Sequence, residues 1–105
     1  MFIDLDPYTE GDHQLKKVLA GLMIENILDL NQSFHHARME NTPDLYQRAC
    51  HKVKTTLHML NNAKLLALSD ILKQGSRDLA LIRQFDAVCF QAVESLQNYL
   101  ESNHL

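Results

Sequence analysis

An all-α fold is the class this chain predicts, as an antiparallel up-down four-helix bundle with a short N-terminal helical segment. Three observations predict it. The chain is poor in helix breakers, with only three Gly and two Pro in 105 residues, too few for a turn-rich β protein. Its apolar residues recur at helical spacing over long stretches. Short clusters with helix-stop and helix-start chemistry separate those stretches, at Asn41–Pro43, Asn61–Asn62 and Gly75–Ser76. Helices joined by such short connections bury their apolar faces by lying antiparallel.

The elements follow in order. Asp6-Pro7 starts a short helix, because Pro is tolerated in a first turn. Gly11 breaks it, and Asp12 is the expected N-cap of a long helix from His13 to about Met39. Leu15, Val18, Leu19, Leu22, Met23, Ile27, Leu30 and Phe34 are its expected apolar side. Ile24 and Leu28 fall off that stripe. Asn41 ends the helix, Thr42 caps the next, and Pro43 takes its first position. This second helix is expected to run unbroken from Pro43 to about Leu60. A shorter third helix follows the Asn61-Asn62 break, reaches about Gln74 and carries Leu65, Leu66, Leu68, Ile71 and Leu72. Gly75 supplies a left-handed C-cap and Ser76 the N-cap of a fourth helix, from about Arg77 to Ser102. Leu79, Ile82, Phe85, Cys89, Ala92, Val93, Leu96 and Leu100 form its buried side.

Composition narrows the function. A length of 105 residues suits one domain over 1–105, with enough apolar surface to fold without staples. The net charge of -3 carries no basic surplus, so no nucleic-acid partner is expected. Cys50 and Cys89 fall on apolar faces and read as reduced core residues. The start Met1-Phe2-Ile3-Asp4 lacks the pattern of a signal peptide, and no apolar run is long enough to insert in a membrane. The expected location is cytoplasmic.

The second helix holds the chemistry. At roughly 100° per residue, Tyr46, Ala49, Cys50, Val53, Leu57 and Leu60 gather on one arc. His51 lies nearly opposite, with Asp44, Gln47, Arg48, Lys54, Thr55 and His58 around it. Such a helix buries one face and presents a histidine to solvent, with a lysine one turn later. An imidazole is a competent nucleophile near neutral pH. With a lysine one turn along, such an imidazole can accept a group that a partner protein delivers, and Lys54 can place positive charge beside that group. Arg48, one turn before, adds to the field, whereas Lys52 diverges from His51 by a quarter turn or more. Gln47 is placed to hydrogen-bond the ring and fix its tautomer.

Ala49-Cys50-His51-Lys52-Val53-Lys54, continued to Leu60 and the Asn61-Asn62 break, resembles the signature of histidine-containing phosphotransfer (HPt) domains. That family's motif is a histidine, two residues and a lysine, then small residues leading to a glycine turn, within a four-helix bundle of about this length. The resemblance implies that His51 accepts a phosphoryl group from a receiver-domain aspartate and passes it on, and that Lys54 is the motif lysine. It implies a phosphorelay carrier without autonomous enzyme activity. The implied partners are response-regulator receiver domains and a sensor or hybrid histidine kinase. No cofactor is implied for the chain itself, because Mg²⁺ would sit on the receiver. A monomer is expected, and the Met1 start with a short tail favours a free-standing chain. The motif departs at Thr55 and His58, where the family has small residues, and at Asn61, which replaces the glycine. Thr55 and His58 favour an alternative, a non-transferring helical adaptor that binds a receiver or kinase.

Metal binding is not expected. His35 and His36 are adjacent and diverge around a helix, and His36 with Glu40 makes only two ligands. Ile24, Leu28 and Met59 are candidate apolar contacts for a partner, since interfaces rest on a few buried anchors.

Overall fold

The computed structural model describes residues 1–104. Among them are six α-helices and no strand: α1 (Asp6–Thr9), α2 (His13–Glu40), α3 (Pro43–Lys52), α4 (Lys54–Leu60), α5 (Ala63–Lys73) and α6 (Leu79–Ser102). The local chemistry accounts for most ends. The Asp12 side chain accepts from the Leu15 N–H and Asn62 accepts from Leu65, each closing a first turn. Asn41 and Asn61 end α2 and α4 in the left-handed conformation, at φ 54° and φ 48°. Asn is, after Gly, the residue that tolerates this geometry best. Thr42 stands at the N-cap position of α3, but its side chain makes no capping bond.

Two expectations about helix ends are corrected. The stretch from Pro43 to Leu60 is two helices, interrupted at Val53. Val53, Thr55 and Thr56 are three β-branched residues in four, a local minimum of helix propensity. The break is slight, because Val53 N–H still donates to the Ala49 carbonyl and Leu57 N–H to Val53, both at 3.0 Å. The cap of α6 is Asp78, whose carboxylate accepts from Ala80 N–H at 2.8 Å, and Ser76 instead accepts from Asp78 N–H. An ionised carboxylate is the stronger acceptor and complements the helix N-terminus.

Helix α2 is the long element, and α1, α3, α4 and α6 all pack against it. The cross-links give the chain directions. Asn41 meets Arg77 and Asn31 meets Asp86, so α2 and α6 run in opposite senses. Phe34 meets Tyr46 and Asn26 meets Thr56, so α2 also opposes the α3–α4 stretch. Helix α5 packs on α3 and α6. Phe34, Tyr46 and Phe85, from three helices, meet edge-on at centroid distances of 4.9, 5.3 and 6.1 Å. Each buried aromatic ring contributes about 1.5–3 kcal/mol through area alone. The Tyr46 hydroxyl donates to the Ser69 carbonyl at 3.1 Å, and burial raises its pKa.

The buried stripe of α2 differs from the expected one. It follows Lys16, Ala20, Met23, Ile27, Leu30, Phe34 and Ala37, while Leu15, Val18 and Leu22 are about half exposed. Helix α2 is apolar over more than one face, and its neighbours select which face is covered. The four-residue α1 is too short to cover a second sector. Lys16 lies on the buried side because its ammonium pairs with Asp6 of α1, which raises its pKa. Leu79 is likewise exposed at the start of α6, and Val88 joins the core in its place. No helix among the described residues is long and apolar enough to cross a membrane.

Candidate functional site

The six apolar residues of the motif arc, from Tyr46 to Leu60, are all buried, and His51 is exposed on the opposite side. His51 lies in the last turn of α3 and Lys54 opens α4, so the Val53 break falls between them. The continuous hydrogen bonding across Val53 keeps both side chains on one flank.

That flank is the edge of an open groove between the α3–α4 stretch and α5. His51 and Lys54 line it on one side, and Ser69, Asp70 and Lys73 of α5 line it on the other. Cys50, Leu57 and Leu66 complete its lining. Burial pushes the Cys50 thiol up, which keeps it protonated and unreactive. The nearest nucleophile to solvent in the groove is therefore the imidazole. Lys54 and Lys73 give the groove two ammonium groups with no carboxylate within ion-pair distance among the described residues. Asp70 accepts from Gln74 at 3.1 Å.

On its other side His51 borders a second shallow depression with Asp44, Gln47, Arg48 and Lys52. His51 thus forms a ridge between the two, with Lys54 on one flank and Gln47 on the other. Lys52 reaches away to Asp29 of α2, at 3.6 Å. Thr55 and His58 are exposed and line neither depression, while the neighbouring Thr56 is buried and accepts from Asn26 at 2.9 Å.

The contribution of α5 was not foreseen from the sequence. Leu66, Ser69, Asp70 and Lys73 stand at helical spacing, so one face of α5 could have been read as polar and cationic near its end. Which face meets α3 depends on packing, and no local signal supplies it. Two other histidines are engaged elsewhere. His35 meets Asp86 of α6 at 2.6 Å, and His36 meets Glu40 at 3.4 Å. No group of three or more His, Cys, Asp or Glu converges among the described residues. Of the candidate partner contacts, Leu28 is exposed, whereas Ile24 and Met59 pack against the core. Both cysteines are buried and free, and burial pushes the Cys89 thiol up to about 12.

The chain matches no protein-family model, no curated protein and no solved structure.

Proposed function

We propose that the chain is a histidine phosphotransfer domain, which takes a phosphoryl group on His51 from a receiver-domain aspartate and hands it to another. One observation carries the reading. His51 is an exposed imidazole on a helix whose other face is buried, and it edges a groove that holds Lys54 and Lys73. In this reading α2, α3 with α4, α5 and α6 are the four members of an up-down bundle in a single domain. The opposed senses of α2 and its two neighbours support that arrangement.

The transfer needs little from the chain beyond position and charge. A ring nitrogen lone pair of His51 attacks phosphorus in line with the aspartyl oxygen. The N–P bond forms as the P–O bond to the carboxylate breaks, and the carboxylate leaves with the electron pair. The ring keeps its other N–H, so the product begins as a phosphoimidazolium, and the reverse step restores the free base. Lys54 and Lys73 stabilise charge on the transferring oxygens. Gln47, on the opposite flank, orients the ring. Mg²⁺ enters with the receiver. The partners are receiver domains and a sensor or hybrid kinase of the cytoplasm, met by a monomer.

The test is phosphoryl transfer from a phosphorylated receiver to the wild type and to His51→Gln, read without acid because phosphohistidine is acid-labile. Label on the wild type alone supports the reading. Docking without label on either protein overturns it in favour of an adaptor, and neither docking nor label across a panel of receivers removes both.

A further inference from the structure

A separate cavity lies away from His51. It lies at one end of the molecule, where the C-terminus of α2, the start of α3 and the α5–α6 connection meet, and its volume is about 200 Å³. Its floor is apolar, built from Phe34, Tyr46 and Leu72, all buried. Arg38, Lys73 and Arg77 also line it, and no Asp or Glu does. None of these three cations has a carboxylate within ion-pair distance among the described residues. Arg77 is held in place by the Asn41 side-chain oxygen, at 2.8 Å. The Nε of Arg38 is buried and has no hydrogen-bond partner. A buried guanidinium N–H without an acceptor is rare in a protein at rest and marks a place for one.

We propose that this cavity binds a small aromatic carboxylate, ring against Phe34 and Tyr46 and carboxylate toward Arg38 and Arg77. Size, shape and charge each select that class. An apolar cavity of roughly 150 Å³ accepts benzene, so this one accommodates a six-membered ring with a short substituent. Aromatic floors favour a flat ring in offset or edge-on contact. Guanidinium groups recognise a carboxylate through paired N–H donors, and the bond is stronger than one between neutral groups. A neutral ring would leave the three cations and the orphan N–H unmatched, and a bare anion would leave the floor uncovered. The proposal is independent of phosphotransfer, although Lys73 borders both sites.

The experiment is an amide NMR titration of the full chain with benzoate, benzamide and acetate at constant ionic strength. The expected result is saturable shifts at Ala37, Asn41, Leu72, Gly75 and Arg77 with benzoate, at millimolar concentration. Benzamide should bind about tenfold more weakly, the loss of a charge-assisted contact, and acetate should not saturate. Arg38→Gln and Arg77→Gln should each weaken benzoate several-fold while leaving the spectrum dispersed. Equal response to benzamide would mean an apolar cavity without charge recognition. Equal response to acetate would mean non-specific anion attraction. Either result overturns the proposal, as does unchanged benzoate binding in both variants or no saturable shift at all. The ligand series on the wild type decides the matter if a variant does not fold.

Discussion

His35 Nε2 lies 2.6 Å from Asp86 Oδ1, joining the middle of α2 to α6, and the same carboxylate oxygen accepts from Asn31 Nδ2 at 2.7 Å. One oxygen thus serves two side chains a helical turn apart. The arrangement fixes the register of the two longest helices with polar contacts beside an apolar seam. Asp86 is 43% exposed, so solvent screens the pair and its worth is modest. Asp86→Asn should lower stability by about 1 kcal/mol. Urea unfolding of Asp86→Asn, His35→Gln and the double variant measures the coupling, and strict additivity would show that the contact stabilises nothing.

His51→Gln should leave the fold intact while removing phosphoryl acceptance. The side chain is exposed and its helix is anchored by the opposite face, so the stability change should stay within about 0.5 kcal/mol. A thermal melt run alongside the labelling assay separates loss of the nucleophile from loss of the fold.

Phe85→Ala should be severe. Phe85 is fully buried and meets both Phe34 and Tyr46 edge-on. Truncation leaves a cavity where three helices converge and should cost about 3–5 kcal/mol. Chemical denaturation reads this directly, and a cost below that of an ordinary surface change would show that the aromatic trio is not the centre of the core.

Asn61 tests a backbone rather than a contact. Its φ of 48° is left-handed, so Asn61→Ala should cost about 1 kcal/mol, whereas Asn61→Gly should be near neutral. The glycine variant places at this turn the residue found in the motif that the chain resembles. A comparison of the two melting temperatures checks the ordering.

Stability should fall in alkali. Burial raises the Cys89 thiol from 9.0 to about 12 and raises Tyr46 as well. Between about pH 9 and 12 the unfolded thiol is ionised while the folded one is not. The unfolded state then holds fewer protons, so stability declines as pH rises, by at most about 1.4 kcal/mol per pH unit for one group. Cys89→Ala should be less stable at neutral pH but flatten this decline. Identical slopes in both proteins would assign the alkaline loss to other groups.

What could be read in the sequence was what is local. Asp12 accepts from an N–H of its own helix's first turn, and Asn41 and Asn61 take a left-handed φ themselves, so residue type alone placed them, whereas the C-cap of α5 is Gln74 and the positive φ of Gly75 falls one residue later. The inward arc from Tyr46 to Leu60 was equally legible, because a helix with one clear apolar face has only one way to lie. Helix α2 was not, since Leu15, Val18 and Leu22 are as apolar as the residues that are buried. Their exposure depends on what covers α2, and that is decided by partners far along the chain. The same holds at the candidate site. His51 and Lys54 share a short motif, but Asp70 and Lys73 arrive on another helix, and His35 finds Asp86 across 51 residues. Asp78 displaced Ser76 as a cap because two good capping residues lay close together and only geometry chose between them.

Helix α2 touches α1, α3, α4 and α6, and this has a consequence for how the chain is made. The spine is synthesised well before its principal neighbour, α6. Asn31 must wait for Asp86, 55 residues later, which at ribosomal rates is about 3–10 seconds. During that interval α2 has only α1, α3 and α4 to lean on. The nascent chain is then a half-closed hairpin with an open apolar seam until α6 emerges and covers it.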